Sequence, residues 1–309
     1  MTAEDAFEAQ DHLALVPGVD DAWMATLAGI ARVVDESIDY QYGATNDHAW
    51  LRGRCNICDH ATLFLHVPAR SVRESFVCSC CFSTARHRAM ARGVLIALGN
   101  MRGEGVRSFA AGLPPHPRPF DILDTQIPFS VPPHAAYQLP LILAAQAGLR
   151  VETSQFKPAM PWGARLGPST TNQNLECLTF ADASFDIVLA SDVMEHVRLY
   201  TRAHSEIRRI LRPGGYYIFT VPHTRAIDDH IVRVAIHAED DPTLDEYLLP
   251  PEYHGSADPD EQAGVLSYRC FGRNLDRELM ALGFDVFYHD APEPSIGIFT
   301  SEVFICRRL

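Results

Sequence analysis

The chain has 309 residues, 47% of them apolar and 21% charged, with a net charge of −13. This is enough for one large domain and a smaller one. It contains no run of eighteen apolar residues that would span a membrane, and its acid-rich start lacks the basic-then-apolar pattern of a secretory signal, so a cytoplasmic protein without a membrane partner is expected. Of the 26 basic residues only Lys157 is a lysine, a bias expected of a GC-rich bacterial genome.

Charge is spread unevenly. Residues 1–50 hold ten acids against Arg32 alone, and a helix is expected there over about 22–34 within an otherwise loose lead-in. Residues 51–110 reverse the balance, with nine arginines and three acids, and 225–262 are acidic again. A basic stretch meets phosphate readily, but acidic flanks repel a long polyanion.

Cys55-Asn-Ile-Cys58, nineteen intervening residues and Cys78-Ser-Cys-Cys81 form a C-x2-C-x19-C-x2-C pattern. Four thiolates on two tight turns satisfy a tetrahedral zinc ion and leave it no open position, so Cys55, Cys58, Cys78 and Cys81 are expected to hold a structural Zn2+. Paired disulfides are the alternative, disfavoured in a cytoplasmic chain of this size. Cys80 leaves open a C-x-C arrangement with Cys78, and is otherwise a spare buried thiol. Short strands are expected at Thr62–Val67 and Val72–Val77, followed by a helix from Ala85 to Leu98 capped by Ser83-Thr84. Its Arg86, Arg88 and Arg92 read as a solvated face, or else as contacts to an acidic substrate or a facing domain. Cys177, Cys270 and Cys306 lie among apolar residues and should pack as small hydrophobes.

Phe185 to Ala190 is a short apolar, β-branched run, as expected of a strand buried on both faces of a parallel sheet. Ser191-Asp192 follows at its carboxyl end, where open α/β sheets place ligands. Arg198 to Leu211 carries apolar residues at helical spacing, and Pro213-Gly-Gly215 stops that helix before a strand over Tyr216–Val221 that ends in Pro222-His223. Asn274 to Leu282 reads as an amphipathic helix closed by Gly283, with paired strands at Asp285–His289 and Glu302–Cys306.

The stretch Leu178-Thr-Phe-Ala-Asp-Ala-Ser-Phe-Asp-Ile-Val-Leu-Ala-Ser-Asp-Val-Met-Glu-His-Val197, followed by Arg212-Pro-Gly-Gly-Tyr-Tyr-Ile-Phe-Thr-Val-Pro222, resembles the second half of a class I S-adenosylmethionine-dependent methyltransferase of the type 11, small-molecule kind. The opening "CNIC…RESFVCxxC" and the segment "YRxFGR…GF…H" extend a likeness to bacterial methyltransferase-domain proteins over about residues 50–306. The joining of a cysteine cluster to such a domain also resembles ribosomal-RNA guanine methyltransferases in architecture. The resemblance implies S-adenosylmethionine as cofactor and a first strand over Phe120–Thr125, with Asp124 at the acidic position. The turn Gln126-Ile-Pro-Phe-Ser130 lacks the usual glycines, which leaves side-chain contacts from Thr125, Gln126 or Ser130, a wider loop, or lost binding. A helix at about Ala135–Ala147 and a strand at Leu149–Thr153 follow. Glu152, or Gln155 in its place, falls where the family binds the ribose diol. Asn174 and Leu175 fall where it holds the adenine amino group and ring, and Ser191 ends the fourth strand.

Methyl transfer is an in-line displacement, so the protein brings nucleophile and methyl group together, and a hydroxyl acceptor also needs a base. His254, His223 and His196 are the candidates, with Tyr253 lining the acceptor pocket and an acidic excursion over about 224–266 forming a lid. The expected fold class is α/β, a Rossmann-like methyltransferase sheet with helices on both faces, plus a small zinc-ribbon-like module. The expected organisation is a lead-in over 1–50, the zinc module over 51–100 and the methyltransferase domain over 101–309. The expected activity is methylation of a hydroxyl or amine on a small molecule such as a sugar or secondary metabolite. An RNA methyltransferase using the basic module and a catalytically inactive scaffold are the alternatives. Oligomeric state is not legible.

Overall fold

The structure is a computed structural model. It describes residues 43–45, 48–67, 70–100, 105–111, 117–131, 135–254, 264–299 and 301–309, so the expected helix over 22–34 lies outside the described residues. The chain divides into two compact units. Unit 1 comprises residues 1–119, 128–149 and 289–303; unit 2 comprises 120–127, 150–288 and 304–309.

Unit 1 is built on an antiparallel sheet of four strands in sequential order, β1 (Gly43–Thr45), β2 (His48–Arg54), β3 (Ala61–Leu65) and β4 (Val77–Cys78). β2 and β3 pair Leu51 with Phe64, and β3 and β4 pair Phe64 with Cys78. The strand expected over Val72–Val77 is instead a 3-10 turn at Val72–Glu74 and the two residues of β4, because Phe76 takes a left-handed φ of 49° that breaks an extended run. Helix α1 (Ala85–Ala97) starts where expected. Thr84 caps it, its hydroxyl accepting from the His87 amide while the His87 ring accepts from the Thr84 amide. Ala89, Met90, Val94 and Leu95 of α1 are buried, as are Leu51, Phe64 and Phe82.

The helix expected over 135–147 is shorter. Phe129–Val131 and Ala135–Tyr137 form a hairpin and only Leu139–Ala144 is helical. Pro140 explains this: it lacks an amide hydrogen and fits only the first turn, so a helix begun at residue 135 would carry it in the interior.

Unit 2 contains an eight-stranded mixed sheet made from β5 (Phe120–Asp124), β6 (Leu149–Gln155), β7 (Arg165–Gly167), β8 (Thr170–Asn172), β9 (Phe185–Ser191), β10 (Leu211–Thr220), β11 (Phe284–His289) and β12 (Val303–Arg308). Their order is β11-β12-β10-β9-β5-β6-β8-β7. β9 runs parallel to both β5 and β10, β8 parallel to β6, and β12 antiparallel to β10. After β5 the chain moves outward through β6 and β8, then returns to place β9 on the other side of β5. That reversal is a topological switch point, where ligands settle at the carboxyl ends of the strands.

The central strands β5 and β9 are apolar because both faces are covered. Helix α2 (Tyr200–Ile210) buries Ala203, Ile207 and Ile210, and α3 (Asn274–Ala281) buries Leu275 and Leu279, in one core with Tyr217, Phe219 and Phe304. Phe219 stacks on Tyr217 and Phe304 at 4.3 and 4.8 Å between ring centres. β10 begins five residues earlier than expected and takes in Pro213-Gly-Gly215. Its pairing with β9 shifts register there, and Gly214 supplies the positive φ, 78°, that the irregularity needs. At the amino ends of the strands Arg212 pairs with Asp121 and Asp186, both at 2.9 Å, satisfying buried and half-buried carboxylates on the edge opposite the candidate site.

Candidate functional site

In unit 1, Cys55 and Cys58 sit on the turn after β2, Cys78 ends β4 and Cys81 lies on the turn that follows it. Their four sulfur atoms lie within 4.8 Å of one another, with Cys55 3.7 Å from Cys81 and Cys58 4.0 Å from Cys78. Four thiolates at a Zn–S distance of about 2.3 Å in a tetrahedron stand about 3.8 Å apart, so the donor set fits that ion. The Ile57 and Cys80 amides point at the sulfurs of Cys55 and Cys78 from 3.5 and 3.4 Å, as tight turns around a metal require. Cys80 is buried but outside the group of four.

The arginines of α1 are not a solvated face. Arg86 binds Glu74 and Arg92 binds Glu293. Arg88 has no exposure at all, lies 4.2 Å above the Phe64 ring and donates to the carbonyls of Phe76, Ser83, Ile296 and Gly297. Burial pulls its pKa down while the nearby thiols push it up. Gly297, at φ 72°, makes this approach possible: a Cβ there would meet the Phe64 ring at 2.6 Å and Arg88 Nη2 at 2.8 Å.

In unit 2 the carboxyl ends of β5, β9 and β10 lie side by side, Leu189 beside Asp124 and Ser191 beside Thr220. Asp124 is fully buried and accepts from the Gln126 amide at 3.1 Å. The Thr125 amide donates to the Leu189 carbonyl, and Gln126 Nε2 donates at 2.7 Å to the Ser191 carbonyl across the switch point. This leaves Thr125 Oγ1 and Gln126 Oε1 buried without a hydrogen-bond partner. Two orphaned acceptors beside a buried carboxylate fit the amino and hydroxyl groups of a nucleoside-linked amino acid. Glu152 is not at the end of its strand. It pairs with Arg165 at 2.7 Å, and the strand ends at Gln155. Asn174 accepts from the Glu176 amide at 2.9 Å, and Leu175 behind it is buried. Of the three other cysteines Cys306 is buried, Cys270 half-buried and Cys177 exposed, so the last does not pack as a core hydrophobe.

Two of the three candidate histidines come together. Beyond β9, Asp192 turns the chain at φ 51° and Met194–His196 form a 3-10 turn that buries Glu195 completely. Arg269 holds this turn from behind, donating to the carbonyls of Met194, Val197 and Arg198, with burial lowering its pKa to about 10. The excursion expected over 224–266 is tied down, where described, by short strand pairs. One of them sets Tyr253-His254 against Val265-Leu266. Arg198 clamps Asp245 with two bonds of 2.7 Å and binds the Ala238 and Glu239 carbonyls. His196 Nδ1 lies 2.9 Å from the Leu266 carbonyl and His254 Nε2 2.9 Å from Glu252. Their other nitrogens face Glu195 Oε1 at 3.5 and 3.7 Å. Glu195 and Glu252 raise the His254 pKa to about 9 against the effect of burial, whereas burial outweighs the imidazole and pushes Glu195 up. His223 stands apart, its Nδ1 3.4 Å from the Tyr288 hydroxyl. Tyr253 is exposed. The sequence around Glu195 gives little sign of this cluster, because the groups that orient its histidines come from residues 252–266; an acid set between an apolar Met194 and His196 is the one local signal.

Residues 144–219 match the family described as "Methyltransferase domain". Among solved structures, the chain is similar to a SAM-dependent methyltransferase from Methanosarcina mazei, at 16% identity over 64% of this chain and 99% of that one, with a TM-score of 0.37. A SAM-dependent methyltransferase from Mesorhizobium loti shows 15% identity over 65% and 96%, TM-score 0.38. A putative one from Listeria monocytogenes shows 15% over 71% and 99%, TM-score 0.38. No curated protein matches.

Proposed function

We propose that this chain is a class I S-adenosylmethionine-dependent methyltransferase and that it methylates a hydroxyl or amine of a small molecule at the carboxyl edge of its unit 2 sheet. The observation that carries the reading is the trio Glu195, His196 and His254, positioned just past β9 at the switch point. The cofactor supplies an electrophilic methyl group on a sulfonium. Asp124, Thr125 and Gln126 bind its amino-acid part, the side chains of the last two replacing the backbone contacts that a glycine turn would give. Gln155, Asn174 and Leu175 line the nucleoside side, and Ser191 keeps β9 close through its carbonyl bond to Gln126. The acceptor's nucleophilic atom lies against the trio. His196, its Nδ1 bound to the Leu266 carbonyl, presents Nε2 to receive the proton, and Glu195 steadies the charge that results.

Cys55, Cys58, Cys78 and Cys81 hold a structural Zn2+ in this reading, with Arg88 offsetting the negative charge of four thiolates. The three arginines of α1 are committed to Glu74, Glu293 and main-chain carbonyls, so that helix face is not free for a polyanion, which removes it as a support for RNA as the acceptor. The test is acceptor-dependent release of S-adenosylhomocysteine, followed by mass spectrometry across sugars, phenols and amines. Methylated product from at least one class, abolished by Glu195→Ala, is expected. Cofactor binding with turnover only on structured RNA would overturn the small-molecule reading.

A further inference from the structure

The trio has a geometry that acid–base chemistry alone does not explain. Glu195 is fully buried, and neither carboxylate oxygen has a hydrogen-bond partner. A buried carboxylate without a hydrogen-bond partner is strongly disfavoured by its own desolvation unless a cation, an imidazolium or a metal ion, meets it. The outer nitrogen of each imidazole is already matched to an oxygen acceptor, Leu266 O for His196 and Glu252 Oε1 for His254, both at 2.9 Å. Glu195 and Glu252 favour a proton on the inner nitrogen of His254, and a divalent ion would take the place of that proton: each imidazole, donating outward, then presents a lone pair inward, and two nitrogen lone pairs converge on one carboxylate oxygen. The separations, 3.5 and 3.7 Å, are longer than the roughly 2.7–3.2 Å of an N–H···O bond. They are close to the roughly 3.4 Å that separates donors about 2.1 Å from one tetrahedral ion. The rings stand edge to face at 85°, centres 4.9 Å apart, which aims two nitrogens at one point without a clash.

Outer-sphere oxygens that fix the tautomer and raise ligand basicity are what metal-bound histidines usually have, and here one is a carbonyl and the other a carboxylate. Two imidazoles and one carboxylate favour Zn2+ and its neighbours over Mg2+ or Ca2+, which prefer oxygen throughout. From this convergence we infer that Glu195, His196 and His254 form a second divalent metal site, with three protein ligands and an open position. This deepens the methyl-transfer reading and rests on it: the open position faces the acceptor, and an acceptor hydroxyl there would lose its proton to water near neutral pH. The acceptor class is therefore an alcohol or phenol rather than an amine, and His196 acts as a ligand in place of a free base.

The test uses the full chain, because the cysteine site binds zinc as well. Wild type, Glu195→Gln, His254→Ala and Cys55→Ser are saturated with Zn2+, desalted over a weak chelator and assayed for zinc by mass spectrometry. Each is checked for folding by circular dichroism and for S-adenosylmethionine binding by calorimetry. About two zinc ions in wild type, and about one in each of the three variants, is the expected pattern for a closed four-ligand site and an open three-ligand one. Glu195→Gln keeps size and shape, so it retains the fold if the His254 variant does not. About one zinc in wild type, unchanged in Glu195→Gln, would overturn the second site. Cofactor binding in the same samples separates that failure from failure of the methyltransferase reading.

Discussion

Replacing Arg88 by Met should cost about 4 kcal/mol of stability in unit 1. The guanidinium donates to four carbonyls. That of Ser83 keeps the Cys78 amide as a donor, so the loss falls on Phe76, Ile296 and Gly297. A buried acceptor stripped of its donor costs about 1–1.5 kcal/mol, giving about 3–4.5 for three, while the Met side chain refills much of the space over Phe64. Arg88→Lys should cost about half as much, since one ammonium has three donors but no planar fork to span carbonyls on two segments. Urea unfolding of the zinc-replete protein, followed by tryptophan fluorescence and by zinc release, measures both. A loss under about 1 kcal/mol for Arg88→Met would refute the reasoning, because it would mean the carbonyls find water and the residue is not sealed in.

Cys81→Ser should release the zinc of unit 1 whereas Cys80→Ser retains it, read by a colorimetric chelator, because only Cys81 stands within the group of four sulfurs. His204, buried among Tyr200, Tyr217 and Phe219 with neither ring nitrogen hydrogen-bonded, has its pKa lowered by burial to about 3. The unfolded chain protonates this ring near pH 6.5 and the folded chain only near pH 3, so stability is full above pH 6.5 and falls as pH drops towards 3, by about 2 kcal/mol at pH 5. His204→Leu should flatten that slope in urea melts run at pH 5 and 7.5; an unchanged slope would contradict it. Gln126→Ala should weaken S-adenosylmethionine binding about tenfold by calorimetry, the value of one lost hydrogen bond in a buried site. Glu152→Gln, which breaks only a partly exposed pair with Arg165, should leave it within about twofold.

Much of the architecture was legible because it is local. The strand at Phe185–Ser191 and the helices at Tyr200–Ile210 and Asn274–Ala281 follow from apolar runs and spacing that are read over a few residues. The two cysteine pairs are likewise short motifs. What was not legible depends on partners far along the chain. Nothing near Arg88 announces that the carbonyls of residues 296 and 297 will enclose it, so a basic helix face read as solvated turned out to be internal. Nor does anything near Glu195 announce that Leu266 and Glu252, some sixty to seventy residues on, will fix the imidazoles around it. At the hairpin over 129–137 and the helix from Leu139, a local rule was available but outweighed in the reading: Pro140 dictates a first-turn position, and the apolar spacing masked it. Glu152 shows the limit of register, since the strand runs three residues past it to Gln155.

Methyl transfer requires that a turn without glycine still hold the cofactor, through Thr125 and Gln126. The direct measurement is calorimetric titration of the zinc-replete protein with S-adenosylmethionine and S-adenosylhomocysteine. Binding of both at about micromolar strength, which corresponds to about 8 kcal/mol, is the expected result. No heat from either at several temperatures, in a protein shown to be folded, would contradict it.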